Sequence, residues 1–117
     1  IVVGEETVNA APDFAWLELD LIRVVGKDDP VRIFSLVGDS DTQTENWFSN
    51  VAKTNALFLK SYRNQKWDDA VMVLERLEAL TEIDLSTFVN LYRNRISVHR
   101  EQDLGPNWDG VYSATSK

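Results

Sequence analysis

The sequence predicts an α+β fold, and three observations predict it. The residues from Phe14 to Val25 alternate with a period of two, a second apolar run from Val31 follows a turn carrying Gly26 and Pro30, and three later stretches repeat apolar residues at helical spacing. At the N-terminus, "IVV" is long enough for only a short strand. "GEETVNAA" has the acidic first turn of a brief helix, where carboxylates meet exposed amides, and Pro12 with Asp13 ends it.

In the first long strand Leu17, Leu19 and Leu21 alternate with Trp16, Glu18 and Asp20, the period expected when one face is buried. Its partner offers Val31, Ile33 and Ser35 on one side and Arg32, Phe34 and Leu36 on the other. Gly26 can supply a positive φ and Pro30 stiffens the exit, so the two runs are expected to pair as an antiparallel hairpin. A two-stranded hairpin is marginal alone and needs further elements to cover it.

Gly38 and "DSDTQT" break the strand period. Thr42 and Glu45 have capping-box spacing, with Asp41 as a competing N-cap. Trp47, Val51, Phe58 and Tyr62 then form a helical stripe that Phe48 and Leu59 widen. A second helix is expected from about Lys66, with Trp67, Ala70, Val71, Leu74 and Leu77 on one face, and a third after Asp84, with Leu85, Phe88, Val89, Tyr92 and Ile96 inward. Short connections favour antiparallel neighbours. "EQDLGPNWDGVYSATSK" loses the period and reads as an extended tail. Trp108, large enough to bury on the order of 150–250 Å², is expected to dock that tail on the body.

Composition narrows the function classes. Nineteen acidic residues against twelve basic ones give a net charge of −7, a poor match to a polyphosphate backbone, so no nucleic-acid partner is expected. With no cysteine, neither a disulfide framework nor a thiolate metal site is available. No run of about 18 apolar residues occurs and no basic stretch precedes an apolar one, so no direct membrane contact is expected and a cytoplasmic location fits. The chain opens without methionine, which reads as an internal or processed fragment of a longer protein.

Few residues suggest chemistry. Asp39 and Asp41, at alternate positions before a helix, read as N-cap and dipole-complementing residues rather than metal ligands. His99, the single histidine, has no catalytic partner at diagnostic spacing and reads as a favourable charge near a helix C-terminus. No phosphate loop, nucleophile elbow or zinc spacing occurs. Trp67, Ala70 and Leu74 make half of a tetratricopeptide (TPR) pattern, but its glycine is replaced by Gln65 and its terminal proline is absent. Three helices are too few for a repeat array. Ordinary core residues of a small TPR-like helical cap are the favoured reading, with a peptide-binding groove as the other.

The stretch "FAWLELDLIRVVGKDDPVRIFSLVGD" resembles the C-terminal strand pair of class III nucleotidyl cyclase catalytic domains, where a segment with E-L-D, I-R-V-K-G-K and P-V-x-I-F closes the fold. "IVVGEETVNAA" is similar to the strand and helix before it, and "YRNQKWDDAVMVLERL" and "WDGVYSATSK" to the helical extension and terminus that follow in many bacterial receptor cyclases. The resemblance implies two parts. Residues 1–38 would be the end of a cyclase domain, a partial ferredoxin-like sheet; 39–117 would be a three-helix extension with a docked tail, with Trp67 and Trp108 as its anchors.

For the intact parent the resemblance implies an adenylate cyclase, converting ATP to cAMP and pyrophosphate with Mg or Mn in a homodimer, at the cytoplasmic end of a membrane-bound receptor in some members. Attack of the ribose 3′-oxygen on the α-phosphate accumulates negative charge that metals and cations offset. The family's metal and transition-state positions lie upstream of this stretch, so the chain itself is expected to hold no catalytic residue, no metal ligand and no cofactor, and to be inactive alone. In the family a lysine of the K-G-K turn reaches the triphosphate. Val25 stands at the first lysine position and Lys27 is retained at the second. Lys27, and after it Arg23, are the cations that could take over that contact; a solvated turn charge is the other reading of each. The alternative for the whole chain is a regulatory, dimerisation or protein-interaction module without catalysis.

Overall fold

A computed structural model describes residues 2–24, 26 and 29–113. The fold is α+β, with several helices and one small mixed sheet. The chain forms two compact units, Ile1–Ser49 with Val111–Lys117, and Asn50–Gly110.

In the first unit, β1 (Val2–Gly4), β2 (Ala15–Arg23), β3 (Val31–Gly38) and β4 (Tyr112–Ser113) form a sheet in the order β1-β3-β2-β4. The expected hairpin is present: β2 and β3 run antiparallel, with Leu17 opposite Ser35 and Ile22 opposite Val31. Gly26 takes a φ of +85°, the left-handed conformation that glycine enters without steric cost. β1 pairs antiparallel with β3, Val3 opposite Phe34. The short helix α1 (Glu5–Ala10) stops where Trp16 Nε1 donates to the Ala11 carbonyl at 2.7 Å.

Two details depart from the strand pattern read in the sequence. Glu18 faces Phe34 and Asp20 faces Ile33, so Leu19 is the extra residue of a β-bulge. The uniform alternation therefore ends there. Ala15 and Leu17 are buried, whereas Leu19 and Leu21 are only half-buried. Asp20 Oδ1 accepts from the Leu21 amide at 2.9 Å beside the bulge, and Arg32 donates to Glu18 at 2.6 Å between the strands. The tail, expected simply as extended, contributes β4, which pairs parallel with β2: Tyr112 opposite Ile22 and Ser113 opposite Arg23.

The helical start after Gly38 also differs. A four-residue helix α2 (Ser40–Gln43) comes first, capped by Asp39, whose Oδ1 accepts from the Asp41 and Thr42 amides at 3.1 and 3.2 Å. The expected Thr42–Glu45 box gives way to this Asp39 cap, because Asp39 sits where its carboxylate meets the first free amides. Asp41 occupies the first turn of α2. The long helix α3 (Asn46–Arg63) then begins.

The second unit contains the rest of α3, with α4 (Trp67–Glu78) and α5 (Ser86–His99). Its core follows most of the three predicted stripes: Val51, Phe58, Leu59 and Tyr62 from α3; Ala70, Val73, Leu74 and Leu77 from α4; Phe88, Val89, Tyr92 and Ile96 from α5. Val73 is buried where Val71 was expected, and Val71, Trp67 and Leu85, all expected inward, are half-buried. The Phe58 ring lies 4.9 Å from Tyr92 and 5.9 Å from Phe88, both edge-to-face, an arrangement aromatic quadrupoles favour.

Two polar contacts order this end of the unit. Asp84 Oδ1 accepts from the Ser86 amide at 3.0 Å at the entry to α5, which holds the Asp84 carboxyl below its ordinary pKa. Arg93 grips Glu78 bidentately, at 2.6 and 3.0 Å. That hydrogen-bonded pair lowers the Glu78 pKa below the usual 4.5 and raises that of Arg93. Because the folded value is depressed, the pair's contribution is present above pH 4.5 and is lost as pH falls through the folded pKa. Thermal melts of Glu78→Gln should accordingly show a shallower loss of Tm on acidification below pH 4.5 than the unmodified chain, a difference that shrinks in high salt because the pair is exposed. Parallel acid profiles for the two proteins would contradict the pairing.

Candidate functional site

The turn that carries the sequence-predicted nucleotide contact lies partly outside the described residues: both Lys27 and Val25 do. Arg23 ends β2, opposite Ser113 of β4. Asp39 is the α2 cap already described, and no group of three His, Cys, Asp or Glu among the described residues could hold a metal ion.

The strongest convergence of functional-looking side chains is in the helical unit, and it starts from a backbone feature. The Lys66 amide donates to the Ser61 carbonyl at 2.9 Å and the Gln65 amide to the Tyr62 carbonyl at 3.0 Å. These are the two reverse bonds of a Schellman motif, which requires a left-handed residue at the position of Gln65. Gln65 accordingly has φ +60°, the only non-glycine among the described residues with a positive φ. An L-residue there costs roughly 1–2 kcal/mol. Its side chain offsets part of this, because Nε2 donates to the Gly105 carbonyl at 2.6 Å.

That bond pins the tail. Gly105 also accepts from the Trp108 amide at 3.4 Å, closing a turn with Pro106 at its second position, where a fixed φ suits the turn. The turn presents the indole of Trp108 to Tyr62 at 5.5 Å, His99 at 5.3 Å and Trp67 at 6.0 Å between ring centroids. Trp67 and Trp108, the two anchors expected from the sequence, are thus brought together. Beyond them Gly110 takes φ +76°, and a Cβ there would stand 2.4 Å from Arg63 Cγ, so both backbone conformation and space demand glycine.

His99 closes the cluster. Its ring stacks on Trp67 at 5.8 Å and an interplanar angle of 29°, Nδ1 meets Gln102 Oε1 at 3.1 Å, and Nε2 is enclosed with no hydrogen-bond partner among the described residues. The expected helix-terminal location of His99 holds, since it is the last residue of α5, but the imidazole is spent on packing. Beside the cluster, Gln65, Lys66, Trp67, Asp68, Asp69 and Arg100 line an open depression of about 350 Å³. Asp68 and Arg100 hold each other there at 3.0 Å. Both signs of charge are present, and no nucleophile stands beside a base.

Sequence reasoning missed Gln65, Gly110 and His99 as parts of this arrangement. The signals were there: a glutamine at the glycine position of the repeat pattern, and a glycine directly after "WD". Comparison with protein-family models, curated proteins and solved structures finds nothing that matches the chain.

Trp108→Ala should lower unfolding stability by about 3 kcal/mol, in the range of large aromatic truncations, as read by the denaturation midpoint; an unchanged midpoint would mean the tail is loose. At Gln65 the alanine and glycine variants separate the two effects. Gln65→Ala keeps the left-handed cost and loses the tail bond, so it should be the least stable by ~1 kcal/mol. Gln65→Gly should lie near the unmodified protein, and equal midpoints for the two variants would contradict this account.

Proposed function

We propose that the chain is the C-terminal part of a class III nucleotidyl cyclase, with residues 1–38 contributing the closing strands of the catalytic sheet and α3–α5 forming a TPR-like extension. What supports this reading most is order: a strand, a short helix, an antiparallel hairpin on the E-L-D…P-V-x-I-F stretch, helices, and a docked Trp-Asp-Gly tail succeed one another as the resemblance requires. The parent's reaction is cyclisation of ATP, in which the ribose 3′-oxygen attacks the α-phosphate and pyrophosphate leaves. Two divalent ions, Mg or Mn, would supply charge neutralisation at that phosphate in the parent. The residues of this chain offer the sheet edge and the Gly26 turn, with Lys27 as the candidate triphosphate contact. Val25 in place of the family's first lysine removes one cation, a loss worth on the order of 10²–10³ in rate where such a group is preorganised.

A second reading, a dimerisation or regulatory module without catalysis, is favoured by one observation: Leu57 and Met72 stand exposed on the helical unit. The coding sequence immediately upstream separates the two. The cyclase reading expects two aspartates at the family's metal positions there, and their absence overturns it in favour of the second. For the chain alone, an assay with Mn²⁺ and ATP is expected to give no cAMP above background; turnover would overturn the assignment of the chemistry to upstream residues.

A further inference from the structure

Leu57 and Met72 flank an open groove of about 210 Å³ between α3 and α4, completed by Ser61, Asp69, Val73 and Arg76. Leu57 is 45% exposed and Met72 56%, and the two share this one groove. On α4, Asp69, Met72, Val73 and Arg76 follow at i, i+3, i+4 and i+7 and so share one face. Asp69 and Arg76 stand two turns apart, about 10.5 Å along the axis. They are too far apart to pair with each other, and neither makes an ion pair among the described residues.

We propose that this face binds a second copy of the chain, with α4 packed antiparallel on α4 of the partner about a two-fold axis. The charge order carries the choice of occupant. Asp69 and Arg76 are symmetric about the point between Met72 and Val73, so a two-fold axis there sets Asp69 against the partner subunit's Arg76 and, by the same operation, Arg76 against the partner subunit's Asp69. Met72 then lies beside the axis over the groove, whose floor is the buried Val73, and Leu57 widens the apolar centre. Such an isologous patch is complementary to itself and locally neutral, although the whole chain carries −7. An apolar centre between two mutually satisfying charge pairs is the layout that selects a like partner and disfavours others. The inference rests on the dimerisation reading of the helical unit and is independent of the cyclase one.

Sedimentation equilibrium of the full chain from about 1 to 300 μM tests it, because a contact of this small size belongs in the weak range. The chain should show a monomer–dimer equilibrium within that span. Asp69→Arg and Arg76→Asp should each weaken dimerisation at least about tenfold, since each sets like charges opposite one another twice. The double variant carrying both reversals should return to within about threefold of the unmodified protein, which also answers any concern that a single reversal disturbs the fold. A monomer throughout the range, a dimer indifferent to the reversals, or a double variant as weak as the singles would overturn the proposal.

Discussion

Tyr62 is the residue through which the helical unit closes. At 1% exposure, its ring meets an aromatic side chain from every element of that unit: Phe58 one turn earlier on α3, Trp67 at the start of α4, Tyr92 and His99 on α5, and Trp108 in the tail, all with centroids within 6.1 Å. In so small a body few side chains are fully enclosed, and burial of large aromatics must supply much of the cohesion. The backbone is arranged around this need. The Schellman turn directly after α3 reverses the chain so that Trp67 returns to Tyr62, and Gln65, left-handed within that turn, reaches out to hold the tail that carries Trp108.

The same cluster accounts for two residues of the tail. Trp108 and Gly110 both have a packing role: the indole covers the aromatic cluster, and the glycine lets the chain pass the stem of Arg63. The chain past Gly110 then continues as a β-strand, Tyr112–Ser113 pairing with the end of β2. The tail is thus used twice, as an aromatic plug and as a strand.

Much of the fold was legible because it depends on local periodicity. Alternation together with Gly26 and Pro30 foretold the hairpin, and the stripes through Phe58–Tyr62, Ala70–Leu77 and Phe88–Ile96 foretold three helices and most of their buried faces. Features that depend on partners distant in sequence were not legible. The bulge at Leu19 arises from pairing with β3, and the two-residue strand β4 exists only because β2 offers it an edge. Asp39 and Asp41 do take the cap and first-turn places read for them, whereas the Thr42 cap expected from its spacing to Glu45 is not used. In the site, Trp67 and Trp108 could be chosen by size alone, but not their meeting. The place of His99 between them follows from where α5 ends against α4, information that spacing along one helix does not hold.

Proton NMR of the aromatic side chains shows whether the tail is a built part of the helical unit joined through Tyr62. Nuclear Overhauser contacts should run from the Trp108 indole to the rings of Tyr62 and His99, with strongly ring-shifted resonances for His99 where it stacks on Trp67. Random-coil shifts for Trp108 with no contacts to Tyr62 or His99 would contradict it.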